Sequence, residues 1–314
     1  MRVTPNMLHR IALNDVTAAR ARLARTQEQA SSGLRINRPS DDAVGAGQVS
    51  ALESDLAQLT QLRRTVTAVR GRVGAVENAL AETTDLLIRL RQLAIQGANG
   101  TQDAASRALI ADEVAEIHDA LAAQANAKFG GAHVFAGFAS ATPPFVVSGS
   151  FDPNTATTPS VAFAGDANEI LVEIDEGIRV PVTLNGQRAF FGDANGDSVP
   201  DAGLENVFSV TQDLWRALST NDPVAITATL DRIDRASAQV SGERSRIGAV
   251  DTALDRAAQG LAKRAVDAEL RVSDLRDADL ARVVSDMVQQ EAALQAGLSA
   301  MGRLVQPTLL DFLR

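Results

Sequence analysis

The side chains best placed to do chemistry are Asp193, Asn195, Asp197 and Asp201, in the stretch GDANGDSVPDAG. Oxygen donors at this spacing suit a hard cation such as calcium, which a loop must surround with six or more oxygens. Two positions break that pattern. Ser198 stands where the sharp turn calls for glycine, and Leu204 stands where a bidentate glutamate would close the shell. The stretch is read as a mobile acidic turn, and no metal ligand is assigned. The three histidines, His9, His118 and His133, are far apart in sequence. None belongs to an HExxH or a His–Cys arrangement, so they are read as surface or packing residues. Gly45 and Gly47 lack the Lys-Ser/Thr that follows in a phosphate loop. No convergent catalytic set is visible, so no cofactor and no enzymatic activity is expected.

The composition agrees with a scaffold. Of 314 residues, 45% are apolar but only 4% aromatic, with one Trp, no Tyr and no Cys. Disulfides and thiolate chemistry are excluded, and the balance favours long helices. The net charge of −9 argues against nucleic acid, because no excess of positive charge is present to release counterions. Arg63, Arg64, Arg70 and Arg72 cluster on a predicted helix and are read as a solvated face or a subunit contact. No run of 18 apolar residues occurs, so no membrane insertion is expected. The opening residues MRVTPNMLHR have no apolar core or cleavage site of a secretory signal. The chain therefore reads as cytosolic unless it leaves by a route without a cleaved signal.

These residues must be carried by long helices. Asn6 to about Ala30 forms one, with a weak stripe of Leu13, Val16, Leu23 and Ala30 that needs a partner helix. Gly33 and Pro39 end it. Ser40 is the expected N-cap of the next helix, with Asp41 and Asp42 in its first turn. From about Ala43 to Ala98, Leu62, Val66, Val69, Val73, Val76, Leu80, Leu87 and Leu90 form a heptad seam with Thr83 as its polar gap. At about 1.5 Å per residue that helix would run about 80 Å. Thr101 or Asp103 caps another, to about Lys128. From about Pro144 to Phe191 the period changes to two, and short strands are expected at 161–163, 170–174 and 178–182. A short helix is expected from Glu205 to Leu218. A last one, capped by Asn221 or Asp222, runs almost unbroken to about Val305. Its seam is Leu280, Val284, Met287, Leu294, Leu298, Met301 and Val305, with Glu291 as the polar member. Pro307 and an apolar tail follow.

Seams at both ends of the chain lack local partners, so the simplest solution pairs the terminal helices. The expected fold is mainly α with a small inserted β domain. Long antiparallel helices form a rod, and the N- and C-terminal helices pair as a coiled coil. Residues 1–43 and 270–314 would be the terminal domain, 44–130 and 206–269 the helical domain, and 131–205 the β domain.

Several phrases carry a resemblance. SSGLRINRPSDD at 31–42, ANGTQDAASR at 98–107, SDLRDADLARVVSDM at 273–287 and TLLDFLR at 308–314 are similar to bacterial flagellins and their relatives, the hook-associated proteins. The opening MRVT with Met7-Leu8 and the segment FGGAHVFAGFASATPPF at 129–145 resemble the branch that joins hook to filament. His133-Val134 replaces the usual Tyr there.

The resemblance implies a structural subunit of the bacterial flagellum, exported through the flagellum-specific type III apparatus and assembled at the hook–filament junction. The implied partners are copies of itself, hook-associated protein 1, flagellin, and an export chaperone over residues 270–314. Leu13, Val16, Leu23, Leu280, Val284, Met287, Leu294, Leu298, Met301 and Val305 would be the assembly interface. Arg35, Asn37, Arg38, Pro39, Ser40, Asp41 and Asp42 would shape a hinge. Two other readings stand beside this one: a short flagellin forming the filament itself, and an intracellular helical adaptor or exported effector enzyme. The segment Phe135-Ala136-Gly137…Pro144-Phe145 discriminates against the short flagellin.

Overall fold

The computed structural model describes residues 5–197 and 199–304. Ser198, Val305, Pro307 and the tail Leu309 to Leu313 lie outside them, as does the side chain of His9. The element order is α1 (Pro5–Ser32), α2 (Ala43–Ala98), α3 (Ala104–Ala125), β1 (Lys128–Phe129), β2 (Ala132–His133), β3 (Phe145–Ser148), β4 (Ser160–Phe163), β5 (Leu171–Asp175), β6 (Ile178–Pro181), a π-helical turn (Gln187–Phe191), α4 (Val207–Ser219), α5 (Pro223–Arg276) and α6 (Leu280–Leu304). Among the described residues no helix is long and apolar enough to cross a membrane.

The chain divides into two compact units. The first comprises residues up to 60 and from 263 onward. In it α1 pairs with α6, and the loop before α2 packs against the end of α5. The expected pairing of terminal helices is present. The last helix, expected to run almost unbroken to about Val305, is two helices: α5 stops at Arg276 and α6 begins at Leu280. Ser273 Oγ donates to Asp277, and the Asp279 carboxylate accepts from the N–H groups of Ala281 and Arg282, so it caps α6. The freed Ala278 N–H donates to the Gly33 carbonyl at 2.9 Å.

The second unit, Gln61–Ala262, holds most of the apolar core. The α2 seam is buried from Val66 to Leu90, and the hydroxyl of Thr83 donates to the Ala79 carbonyl, which makes its burial tolerable. Asp103 caps α3, Asn206 caps α4 and Asp222 caps α5. The strands form three separate two-stranded antiparallel sheets. Between the sheets and α4, Phe135, Phe145, Phe190 and Phe208 are buried with ring centroids 5.2 to 6.2 Å apart. Each such ring contributes roughly 1.5–3 kcal/mol by leaving water.

Candidate functional site

The loop Gly33 to Asp42 is held on both sides. Gly33 takes φ +72°, which ends α1 at a position only glycine adopts without strain. The N–H groups of Arg35 and Ile36 donate to the Arg276 carbonyl at 2.6 and 3.3 Å. The Arg35 guanidinium reaches Asp42 at 3.1 Å and the Leu275 carbonyl at 2.5 Å, so one side chain ties the start of α2 to the end of α5. Ile36 is buried. Arg38 pairs with Glu28 of α1 at 2.9 Å, and the Asn37 side chain donates to the Leu34 carbonyl.

The N-cap of α2 is Asp42 rather than Ser40. Its Oδ1 accepts from Gly45 N–H at 2.9 Å, while Asp41 Oδ2 accepts from the N–H groups of Asn37 and Arg38. The Pro39 turn consumes Ser40 and Asp41, so the helix starts later than spacing suggested. The Gly45 N–H and then the Arg35 guanidinium hold the Asp42 carboxyl below its ordinary pKa.

The α1–α6 seam differs from the expected one by a turn of the helix face. The buried or half-buried positions of α6 are Val283, Met287, Gln290, Leu294, Gly297 and Met301, with steps of four and three throughout. They face a stripe of α1 that includes Val16, Leu23 and Thr26. Thr26 Oγ1 donates to Gln290 Oε1 at 2.9 Å, and Val16 lies 3.8 Å from where a Cβ of Gly297 would stand. Met287, Leu294 and Met301 therefore belong to the internal seam.

Leu280, Val284 and Leu298 do not: they are 53%, 48% and 42% exposed, against 8% for Val283. Leu13 is also exposed, and so are Ile11 of α1, Val288 of α6, and Val266 and Leu270 near the end of α5. Spacing missed Gln290 and Gly297 because neither is apolar, and so it merged two stripes into one. α6 carries an apolar face wider than one partner covers.

In the second unit, the segment 129–145 is the connector between α3 and the sheets. Asn126 holds Phe145 by two hydrogen bonds, Nδ2 to its carbonyl at 2.8 Å and Oδ1 from its N–H at 2.9 Å. Gly137, at φ +61°, lies so close to Asp166 that a Cβ would meet the Asp166 carboxylate and stand 2.6 Å from its carbonyl. That carboxylate accepts from the N–H groups of Phe138, Ala139 and Asn168. Burial raises its pKa, but those N–H groups prevail and leave it below the ordinary value.

The histidines described here are packing residues and not surface ones. His118 is fully buried against Phe151 and Phe208, and His133 Nδ1 lies 2.8 Å from the Asn126 carbonyl. The acidic turn spends its oxygens internally. Asp193 is buried and accepts from Gly196 N–H and Gln187 Nε2, and Asp201 accepts from Ala194 N–H and Asn195 Nδ2. Arg70 of the basic cluster pairs with Asp255 at 2.6 Å, and Arg72 donates to the His133 carbonyl. Among the described residues no group of three or more His, Cys, Asp or Glu side chains gathers as a metal site.

Known proteins share both ends of this arrangement. The bacterial flagellin N-terminal helical region matches residues 3–140, and the bacterial flagellin C-terminal helical region matches residues 230–313. Flagellar hook-associated protein 3 of Escherichia coli (strain K12) is 26% identical over 314 residues, covering 96% of each chain. Flagellin of Bacillus subtilis (strain 168) is also 26% identical, covering 98% of this chain and 97% of the relative. A hook-associated protein structure from Vibrio parahaemolyticus has the same fold, with a TM-score of 0.64 at 19% identity, over 76% of this chain and 100% of that one. With both terminal helical regions matched, the chain belongs to the bacterial flagellin family.

Proposed function

We propose that this protein is a structural subunit of the bacterial flagellum that joins hook to filament. The observation that carries the reading is the uncovered apolar stripe on the terminal helices, Leu280, Val284, Val288 and Leu298. Exposed apolar side chains gathered on one helix face mark an interaction surface, and helices arrayed side by side in a tube would cover them. Contacts between unlike faces of identical subunits build such a tube. Copies of the same chain are the first partner. Hook-associated protein 1 on one side and flagellin on the other would be the unlike neighbours, outside the cell. During export a chaperone would shield the same stripe of α6. The internal seam through Met287, Leu294 and Met301 would keep α1 and α6 paired, while Leu13 and the outer stripe meet neighbours. Arg35 to Asp42 would set the angle at which the chain leaves the terminal layer. The protein acts by packing and catalyses nothing.

The likeness to hook-associated protein 3 and the intact 129–145 connector support the junction. The equal identity to a flagellin keeps the filament as the second reading. Copy number separates them. Quantitative mass spectrometry of flagella sheared to different lengths should find a fixed number of copies per hook. A number that grows with filament length would make the protein a flagellin.

A further inference from the structure

The arginines that cluster on α2 divide in two. Arg70 pairs with Asp255 at 2.6 Å and Arg72 donates to the His133 carbonyl, so both are spent inside the second unit. Arg63 and Arg64 are exposed, and neither makes an ion pair among the described residues. Exposed cations alone specify no partner. The opposite charge, however, stands on the same unit. There α2 and α3 run antiparallel, tied by Arg107 to the Gly97 carbonyl and by Arg89 to Glu113 at 2.6 Å. Glu116 of α3 therefore stands at the level of Asp85 in α2. Glu82, Asp85, Asp112 and Glu116 are all exposed, and none makes an ion pair among the described residues. Carboxylates gathered on one face of a helix pair repel one another and gain from cations brought among them.

Spacing links the basic and acidic faces. Asp85 stands three heptads beyond Arg64, which is about 32 Å along the helix. An apolar feature recurs at the same interval. The exposed Phe129 ring rests on Gly71, one heptad beyond Arg64, where a Cβ would stand 2.7 Å from its Cζ. One heptad beyond Asp85 is Gln92, flanked along α2 by the exposed Ile88 and Ile95. Parallel copies offset by about 32 Å would bring Arg64 to Asp85 and, by the same shift, Phe129 to Ile88 and Ile95.

We propose that the Arg63–Arg64 face of one copy packs on the acidic α2–α3 face of the next, with the two copies parallel and offset by about 32 Å. Opposite charge selects the partner surface and its register. Phe129 over Ile88 and Ile95 supplies the apolar burial. The contact joins unlike faces, so it repeats through an assembly without closing as a dimer. It rests on the reading that copies assemble in the flagellum, and it adds the second unit to the surfaces that meet.

Charge exchange tests the contact. Cells would carry, as their sole copy, Arg63→Glu with Arg64→Glu, or Glu82→Arg with Asp85→Arg, or all of these changes at once. The altered side chains are exposed, so the monomer melting point should stay unchanged. Each reversed pair sets like charges face to face, and copies per hook in isolated flagella should fall at least tenfold. The combined variant restores opposite charges and should return to within twofold of the unaltered chain. Unchanged recovery of either reversed pair overturns the contact, and so does failure of a folded combined variant to recover. Absence of even the unaltered chain from flagella overturns the assembly reading as well. A second measurement decides where a reversed chain fails to fold. The chain has no cysteine, so introduced thiols are unambiguous. Arg64→Cys and Asp85→Cys in one chain lie about 32 Å apart, beyond the reach of a short thiol–thiol cross-linker. Assembled flagella of that variant should give cross-linked dimers and higher multimers, and monomer alone contradicts the contact.

Discussion

Thr26 and Gln290 meet inside the α1–α6 seam, hydroxyl to amide oxygen at 2.9 Å. The same hydroxyl lies 3.1 Å from the Arg22 carbonyl, so Thr26 keeps an acceptor if Gln290 is lost. A single polar pair in an apolar seam fixes the register of two helices, at a cost in stability. Gln290→Ala should therefore destabilise the pair by only about 0.5–1.5 kcal/mol. Gln290→Leu with Thr26→Val should tighten it but permit slippage. Amide hydrogen exchange along α1 and α6 reads both effects, and greater protection with broadened rather than sharp α6 resonances is expected of the double variant.

Val284→Asp with Leu298→Asp separates folding from assembly. Both side chains are exposed, so the monomer should change by less than about 0.5 kcal/mol in urea unfolding. Incorporation into flagella should be abolished. Val283→Asp is the contrast. It places a charge in the internal seam and should release α6 from α1 in the free chain, seen as loss of protection in both helices.

Arg107 is buried and clamps three groups. Its Nε donates to the Gly97 carbonyl at 2.8 Å, its Nη2 to the Asn99 carbonyl at 3.2 Å, and its Nη1 to Asn221 at 2.5 Å. Arg107→Ala removes the side-chain donor from the Gly97 and Asn99 carbonyls and should cost about 2–4 kcal/mol. Arg107→Lys should recover little of this, because an ammonium cannot span three divergent acceptors. Thermal unfolding of the two variants checks the order.

His118 predicts an acid limit to the second unit. Burial lowers its pKa below the ordinary value of 6.5, outweighing the nearby Asp119 carboxylate. The unfolded chain then binds the proton first, so this group's contribution is constant well above about pH 6.5 and turns against folding as pH drops from there toward the lowered folded value. Gln212 Nε2, 3.2 Å from His118 Nε2, has no acceptor there once that nitrogen is protonated. The melting point should decline through this window, and His118→Leu should remove that part of the decline. An unchanged profile in the variant would contradict this assignment to His118.

Much of the fold was legible because its long helices obey one period. The α2 seam is buried as its spacing predicts, and Asp103 and Asp222 cap where expected. The break between α5 and α6 was hidden because Asp277-Ala278-Asp279 contains neither glycine nor proline. The Asp279 cap and bonds to the distant loop, among them Ala278 N–H to the Gly33 carbonyl, make it favourable, and the latter cannot be seen in sequence. The Ser40 cap failed for a similar reason, since Asp41 was already committed to the turn before it. Of the candidate interface, Leu280, Val284 and Leu298 were read as one seam with Met287 and Leu294. A stripe that serves two partners looks the same in sequence as a stripe that serves one.

Immunogold electron microscopy of intact flagella, with an antibody against the second unit, tests the central claim most directly. The account predicts a single narrow band of label where the hook meets the filament. Label along the whole filament would contradict it and make the protein a flagellin.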